Sequence, residues 1–406
     1  MKRKKHIRVQ LFVLVLLITS GLFCDDFFRI KTGVIENAWK RVAFFYIQPT
    51  VTLENIGYTS NIYYFQDLEE PDFTADAGLR LQVSSLLGHR FILTVDEHPF
   101  YSFYAENVEQ RALSNRLNAT VYTYIGRFDL KYSYKNDYVK GSPTSEFGAY
   151  IRTRTEQHFI SLDYGRHNSF FLNLYLKQDS FRYHEENYLG SYNLRQYMDR
   201  KELSAGLQLN KIIFTQTRLF LRYEYYEYTF DNEPLRDGIG RQASIGVVFP
   251  EVGRIKGSVE FGIKDFIPGS SLYQNYKKPF GSGEVSVTLF RKLKFQLQYL
   301  VNNFYSYWRS DQSFDEKSIG FRTEYYINRD IKMGYHYRLG LLSYENLTDG
   351  LETREDNFNT AAVYLGFRVF KKMGIGLEYR KYRAESGIRD FIRSKDFIGG
   401  YLIHEF

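Results

Sequence analysis

Short turns recur about every 40 residues along the chain, and each interval holds two long runs in which apolar and polar side chains alternate. The turns are expected at Gly88-His89, Gly126-Arg127, Gly165-Arg166, Asn210-Lys211, Pro250 to Gly253, Arg291-Lys292, Asn328-Arg329 and Lys371-Lys372. Ala119 to Tyr134, ATVYTYIGRFDLKYSY, is a representative interval. Ala119, Val121, Phe128, Leu130, Tyr132 and Tyr134 share one face, and Asn118, Thr120, Asp129, Lys131 and Ser133 share the other. Strict period-two alternation about a glycine turn is a β-hairpin with two unlike faces. Repeated from the strand around Phe45 to Leu53 through to the end of the chain, it gives about 18 strands, the even number a transmembrane barrel needs.

Two other all-β architectures share part of this pattern. A propeller blade also repeats at roughly 40–45 residues, but fits four short strands into that length and carries Trp-Asp and Gly-His signatures. A soluble sandwich alternates in the same way, but does not supply runs of similar length joined by strictly alternating short and long connections. The greasy faces discriminate further. In Leu203, Ala205, Leu207, Leu209, in Leu219, Leu221, Tyr223, Tyr225, and in Ala361, Val363, Leu365, Phe367, Val369, no Lys, Arg, Asp or Glu interrupts. A Lys or Arg facing lipid at the bilayer midplane costs about 2–4 kcal/mol, so a lipid-facing surface excludes it. The expected fold is an all-β, transmembrane, antiparallel up-and-down β-barrel, with short periplasmic turns and long extracellular loops.

Composition agrees. The 406 residues include 36 Tyr and 35 Phe but 2 Trp, a mixture that favours strands, and the mean hydropathy of −0.41 leaves no room for a stack of membrane helices. A single cysteine, Cys24, excludes an internal disulfide framework and a cysteine-rich metal site. The net charge of +7 comes from scattered residues rather than a basic tract, so no nucleic-acid partner is expected. Residues 1–24 read as a secretory signal peptide: Lys2, Arg3, Lys4 and Lys5 precede an apolar run from Leu11 to Ile18 and then Thr19, Ser20 and Gly21. Cys24 fits a lipid-attachment cysteine except that bulky Phe23 precedes it. Residues 25–40 are left as a short periplasmic segment, and residues 41–406 form the barrel, in the outer membrane of a diderm bacterium.

Seven of the eight prolines (Pro71, Pro99, Pro143, Pro234, Pro250, Pro268, Pro279) are expected between strands or at their ends, while Pro49 implies a bulge or a late start in the first strand. Short turns are basic, whereas QDLEEPD from Gln66, HEEN from His184, DNEP from Asp231 and ENLTDGLETRED from Asn346 make the long loops acidic. Tyr101, Phe103, Tyr104, Tyr223, Tyr225, Tyr226, Tyr228, Tyr305, Tyr307 and Trp308 gather at run ends, as an interfacial aromatic girdle does. The chain ends YLIHEF. That terminal Phe406 resembles the strand signal read by the barrel-assembly machinery, although Gly400 and His404 occupy alternate positions usually apolar.

Near the start, YTSNIYY from Tyr58 is followed by DFTADAGLRLQVSSLLGHRFILTVD from Asp72. This resembles outer-membrane β-barrel porins associated with exopolysaccharide operons, through a Tyr-x-x-Asn-aliphatic element (Tyr58, Asn61, Ile62) and a Gly-x-Arg turn (Gly88, Arg90). The resemblance covers the first third best. It implies an outer-membrane channel with polysaccharide as a partner, and names no substrate.

No Gly-x-Ser-x-Gly elbow, His-Glu-x-x-His helix or phosphate-binding loop is present, and neither an enzymatic role nor a cofactor is expected. His98, His158 and His336 stand alone on strands, and the HNS at His167 falls in a predicted turn. The inward parity instead collects Arg80, Arg116, Lys131, Arg218, Arg222, Glu224, Lys256, Glu260, Glu284, Arg322, Glu324, Arg338, Arg368, Glu378 and Arg380 as pore-lining candidates. Rings of such charge set selectivity in a wet pore; equally, they could be ion-pair ladders that fix strand register. Arg152, Arg154 and Glu156 share parity with Ile160, Leu162 and Tyr164, which implies a bulge or a misplaced boundary in the sixth strand. The alternative function is a non-conducting structural or adhesin-type barrel.

Overall fold

The computed structural model describes residues 26–406 apart from 63–68, 89, 142–150, 166–168, 185–187, 190–191, 215, 251–252, 272–274, 308–310, 347–353 and 387–391. Residues 1–25, Cys24 among them, His167, Trp308 and part of three of the acidic loops lie outside the described residues. Strands β1 to β9 are Phe45–Thr59, Asp72–Leu87, Phe91–Tyr104, Ala112–Ile125, Phe128–Gly141, Ile151–Tyr164, Phe170–Tyr183, Arg200–Ile213 and Thr217–Phe230. Strands β10 to β18 are Gly238–Phe249, Ile255–Pro268, Tyr276–Leu289, Leu293–Tyr305, Asp311–Tyr326, Ile331–Asn346, Glu355–Phe370, Met373–Ser386 and Arg393–Glu405. Each pairs antiparallel with the next, and β18 pairs with β1 through Thr50–Glu405 to Thr59–Phe397, closing an 18-stranded barrel. With strands ~4.8 Å apart and tilted ~40°, such a barrel measures about 35 Å between opposite backbones. No described helix is long and apolar enough to cross a membrane.

Connections alternate between two to five residues at one end and five to sixteen at the other. On the outer face the apolar band begins at the short turns and stops abruptly. Leu219, Leu221, Tyr223 and Tyr225 of β9 are followed by Glu227; Tyr325, Thr323, Phe321 and Ile319 of β14 by Lys317; and Ile375, Leu377 and Tyr379 of β17 by Lys381. Eight residues of tilted strand rise about 20 Å, close to the ~25 Å apolar band of a transmembrane barrel. The strands run 12 to 16 residues, so their upper parts project beyond the apolar band at the long-loop end.

That projection corrects the reading of β6. It pairs with β5 without any register shift, so Arg152, Arg154 and Glu156 do face outward. They do so above the band, where Arg154 and Glu156 form an ion pair of 2.6 Å in contact with water. Pro99 and Pro279 are likewise inside β3 and β12 rather than between strands, both toward the long-loop ends of strands that are longer than the apolar pattern alone suggests. The fourth short turn falls at residues 214–216, not Asn210-Lys211, because β8 continues to Ile213 and Phe214 takes the left-handed conformation (φ 50°). Pro49 sits within β1 opposite Leu81, and the bulge of that strand comes later, at Asn55 (φ 51°).

Glycine and tyrosine form a repeated device on the inner wall. Tyr364 of β16 lies over Gly334 of β15, its cross-strand partner, and its hydroxyl donates to Glu324, which faces Gly334 from β14. Tyr175 of β7 crosses Gly206 of β8 in the same way and donates to Glu224 of β9 at 2.6 Å. A Cβ on Gly334 would stand 2.2 Å from the Tyr364 ring, and one on Gly206 would stand 2.1 Å from the Tyr175 ring. The absent side chain is what lets a ring span three strands. Gly334→Val is therefore expected to expel Tyr364 and destabilise the barrel by about 1–3 kcal/mol, the usual cost of overpacking. Tyr364→Phe, which keeps the ring and removes the hydroxyl that donates to Glu324 and accepts from Arg322, should cost about 1–2 kcal/mol. The urea midpoint for loss of the heat-modifiable folded band measures both; equal midpoints for Gly334→Val and the parent would remove the argument.

Candidate functional site: the barrel interior

Inward-facing side chains are polar along most of the wall, and the exceptions locate what fills the two ends. At the short-turn end, Tyr46, Leu86, Ile92, Tyr122 and Tyr124 make an apolar patch on the inner faces of β1 to β4. A helix, α1 (Asp26–Asn37), lies against it with Ile30 and Val34. Much of the segment 25–40 is thus a helix seated in the barrel mouth.

At the other end the loops turn inward. A single helical turn, Leu194–Met198, buries Leu194, Tyr197 and Met198 against Ile151, Tyr183 and Tyr307. Tyr183, at the end of β7, and Tyr307, in the β13–β14 connection, share a hydroxyl–hydroxyl hydrogen bond of 2.6 Å. Arg236, buried in the β9–β10 connection, donates to the Ser306 carbonyl at 3.0 Å and stacks on Tyr197 and Phe230. Three loops are pinned together over part of the opening. A second apolar cluster, Phe314, Leu342, Tyr344 and Phe358, occupies the inner faces of β14 to β16 at the same end. Part of the expected aromatic girdle also belongs inside: Tyr228 packs edge-on to Phe266 and Tyr305, with ring centroids 5.8 and 5.1 Å away. Tyr223 and Tyr225 remain outside.

Between these ends the structure places the charged candidates on the inward parity of their strands. It resolves them into two groups. Arg80 pairs with Asp96 at 2.5 Å, Arg222 with Glu260 at 3.1 Å, Arg322 with Glu324 at 3.1 Å and Arg380 with Glu378 at 3.5 Å; Arg338 pairs with Glu316. Pairing across strands ties register, and pairing two residues apart on one strand neutralises charge locally. Arg222 also takes Gln208 at 2.9 Å, while Ser244 donates to Glu260, so this cluster spans β8 to β11. The second group has no such partner. Among the described residues no ion pair joins Arg116, Lys131, Lys256 or Arg368, although Arg116 stacks on Phe100. Of the acids, Glu224 holds Tyr175 and Gln242, and Glu284 holds Gln298 at 3.0 Å.

Lys131, Arg218 and Arg222 converge on one cavity of about 430 Å³ beside α1, with Thr94, Thr120, Asn173 and Ile30 among its walls. A larger hollow of about 670 Å³ opens near the short turns, where Arg322, Lys332, Arg368 and Glu378 face it. His98 faces inward and meets Thr52 at 3.2 Å, while His158 faces outward and meets Tyr132 at 2.9 Å. Sequence reasoning missed Tyr175, Gln208, Ser244 and Tyr364, the neutral partners that organise the charges. They carry no signal of their own until strand neighbours are known.

No family model matches the chain, and no curated protein matches it in sequence. In structure it is similar to OccK2 (OpdF) of Pseudomonas aeruginosa in complex with glucuronate, at 13% identity and a TM-score of 0.51, over 89% of this chain and 97% of that one. It is also similar to OpdK of Pseudomonas aeruginosa with vanillate (11% identity, TM-score 0.51, 89% and 98%) and to OccAB3 of Acinetobacter baumannii (11%, 0.50, 89% and 99%). At such identities the likeness is one of fold: a closed 18-stranded antiparallel barrel of the kind built by outer-membrane porins.

Proposed function

We propose that the chain is an outer-membrane channel for small polar solutes, with a mild preference for anions. The short turns then face the periplasm and the long loops the outside, and β18 with its terminal Phe406 carries the signal to the assembly machinery. Supporting this reading is a polar interior in which four cations outside the described ion pairs, Arg116, Lys131, Lys256 and Arg368, stand against two acids with neutral partners, Glu224 and Glu284. A solute meets α1 and the pinned loops as constrictions, so passage is narrow or gated rather than free. A link to exopolysaccharide secretion rests on the resemblance of the N-terminal strands, and an acidic polymer suits a cationic lining. The proposal includes no enzymatic step.

The inward helix and loops also favour a second reading, a non-conducting structural barrel. Purified protein in planar bilayers under a tenfold KCl gradient tests both. Discrete conductance steps with a reversal potential on the chloride side support the channel; steps with a potassium-side potential remove the anion preference. The absence of steps, including after α1 is removed, favours the structural barrel.

A further inference from the structure

The short turns combine exposed rings with cations. The three most exposed large apolar side chains of the described residues are Phe290, Phe214 and Phe370, at 91%, 87% and 67%, and all three stand at short turns. Phe214, Phe290 and Arg291 also take the left-handed conformation, with φ of 50°, 50° and 59°. Glycine or asparagine ordinarily fills such positions because a Cβ is strained there, so a bulky residue held in one calls for a compensating contact. Arg90, Arg127, Arg254 and Arg329 are exposed in four of the turns, and Arg291-Lys292 and Lys371-Lys372 in two more. Among the described residues none of these cations is in an ion pair, and Asp330 is the one acid of the described turn residues. Toward the long loops, by contrast, the outer wall mixes signs, as in Glu227, Arg241, Asp265 and Lys277 across β9 to β12. The apolar band begins beside the turns, at outward-facing Phe91, Phe128, Ile255 and Leu289. A headgroup layer is about 5–8 Å deep on each side of the hydrocarbon, so residues just past the band stand at phosphate level.

We infer that the short-turn rim binds anionic phospholipids of the periplasm-facing leaflet, their phosphates on the turn cations and the rings of Phe214, Phe290 and Phe370 at the boundary between headgroups and acyl chains. The inference rests on the outer-membrane reading and on the short turns facing the periplasm. Basic residues beside apolar ones are the combination that holds a protein at an anionic bilayer surface: the ring gains apolar surroundings while the charge stays with the phosphates. Arginine forks suit phosphate oxygens in particular. A zwitterionic headgroup offers its phosphate together with an ammonium, which the cation pairs Arg291-Lys292 and Lys371-Lys372 repel. Neighbouring short turns are two strands apart, about 12 Å along the rim, and the cations are spread over most of the circumference. That spacing meets many separate headgroups, whereas one soluble polyanion needs its charges matched on a single patch. It also leaves each phenylalanine next to hydrocarbon, where a polymer in water would give it no apolar contact.

The test uses the full mature barrel in mild detergent with an equimolar mixture of phosphatidylglycerol and phosphatidylcholine, followed by native mass spectrometry. Retained phosphatidylglycerol should exceed phosphatidylcholine at least about fivefold, the effect of one Lys or Arg beside an anionic headgroup. Arg127→Gln/Arg254→Gln/Arg291→Gln/Lys292→Gln should lower that ratio at least about twofold. Lys277→Gln/Lys317→Gln/Lys381→Gln/Arg383→Gln, toward the long-loop end, removes as much charge and should keep the parent ratio. Ring depth is read separately in reconstituted vesicles, where the tryptophan of Phe290→Trp should be quenched by brominated phosphatidylglycerol and shielded from iodide. Equal retention of the two lipids, an unchanged ratio in the turn variant, an equal fall in the control, or quenching by iodide instead of brominated lipid would each overturn the site. So would dextran sulfate bound through the same four turn cations in a barrel with no lipid preference, which would make the rim a site for a soluble polyanion. A parent that conducts but shows no lipid preference would leave the channel reading standing, whereas a barrel absent from the outer-membrane fraction would remove both.

Discussion

If the chain is the channel proposed above, Lys131→Glu combined with Lys256→Glu is expected to reverse its proposed preference from anions to cations. Both side chains are on the inner wall, and neither is in an ion pair among the described residues, so their charge acts on the lumen rather than on a neighbour. The double substitution changes the local charge by four units. One unit charge at ~10 Å in water contributes about 0.4 kcal/mol, and a Debye length of ~10 Å at 0.1 M salt reduces that roughly threefold. Four units therefore amount to about 0.6 kcal/mol, close to threefold against anion entry and threefold in favour of cations. The contrast with a paired site is sharp. Arg80→Gln removes a cation already neutralised by Asp96 and should leave a free carboxylate, shifting preference the same way by a smaller step. Reversal potentials under a KCl gradient at 0.1 M and again at 1 M read the effect. The shift should shrink at high salt. A double variant that keeps the parent potential at both salts would mean that the lining does not set selectivity.

How much of this was legible in the sequence depends on the range of the information. Alternation along one strand fixes which side chains share a face, and that is local: the inward parity of Arg222 and Glu260 needs nothing beyond their own runs. The closed sheet, its strand number and the unequal connections follow from repeating that local signal. Pairing is not local. That Arg222 reaches Glu260 over Ser244, or Tyr364 reaches Glu324 over Gly334, depends on the register of three strands at once. The band height was misjudged for a related reason. The sequence shows where apolar alternation stops, but a strand continues after it stops, which is why Arg154 and Glu156 suggested a bulge and Pro279 suggested a strand end. The contents of the two mouths were missed although a signal existed. Ile92, Tyr122, Leu342 and Phe358 are apolar on inward positions of an otherwise polar wall, and an inward apolar patch must be covered by something inside the barrel.

On the same channel reading, removing α1 by deleting Asp26–Asn37 is expected to raise single-channel conductance and to shorten closures. The helix sequence DFFRIKTGVIEN holds Gly33 and the β-branched Thr32, Val34 and Ile35, so it has little intrinsic helicity. Its stability must come from the seat on Ile92 and Tyr122, where Val34 is 8% exposed. A helix with side chains is about 10–12 Å across, against about 35 Å between opposite backbones, much of which inward side chains already fill. It can narrow the mouth substantially without sealing it, so the expected change is a step in conductance rather than its onset. Val34→Asp separates occupancy from sequence length. Burying an unpaired carboxylate in an apolar seat costs several kcal/mol, more than two short apolar contacts return, so the helix should leave the mouth while the chain stays full length. Both variants should then conduct alike, above the parent, and the cavity beside Lys131 and Arg218 should become open to a periplasmic-side thiol probe placed at Thr120→Cys. If the deletion conducts at the parent level, α1 does not obstruct the path. If the deletion rises and Val34→Asp does not, the helix is held by more than its apolar face, and the seat described by Ile92 and Tyr122 is not what keeps it there.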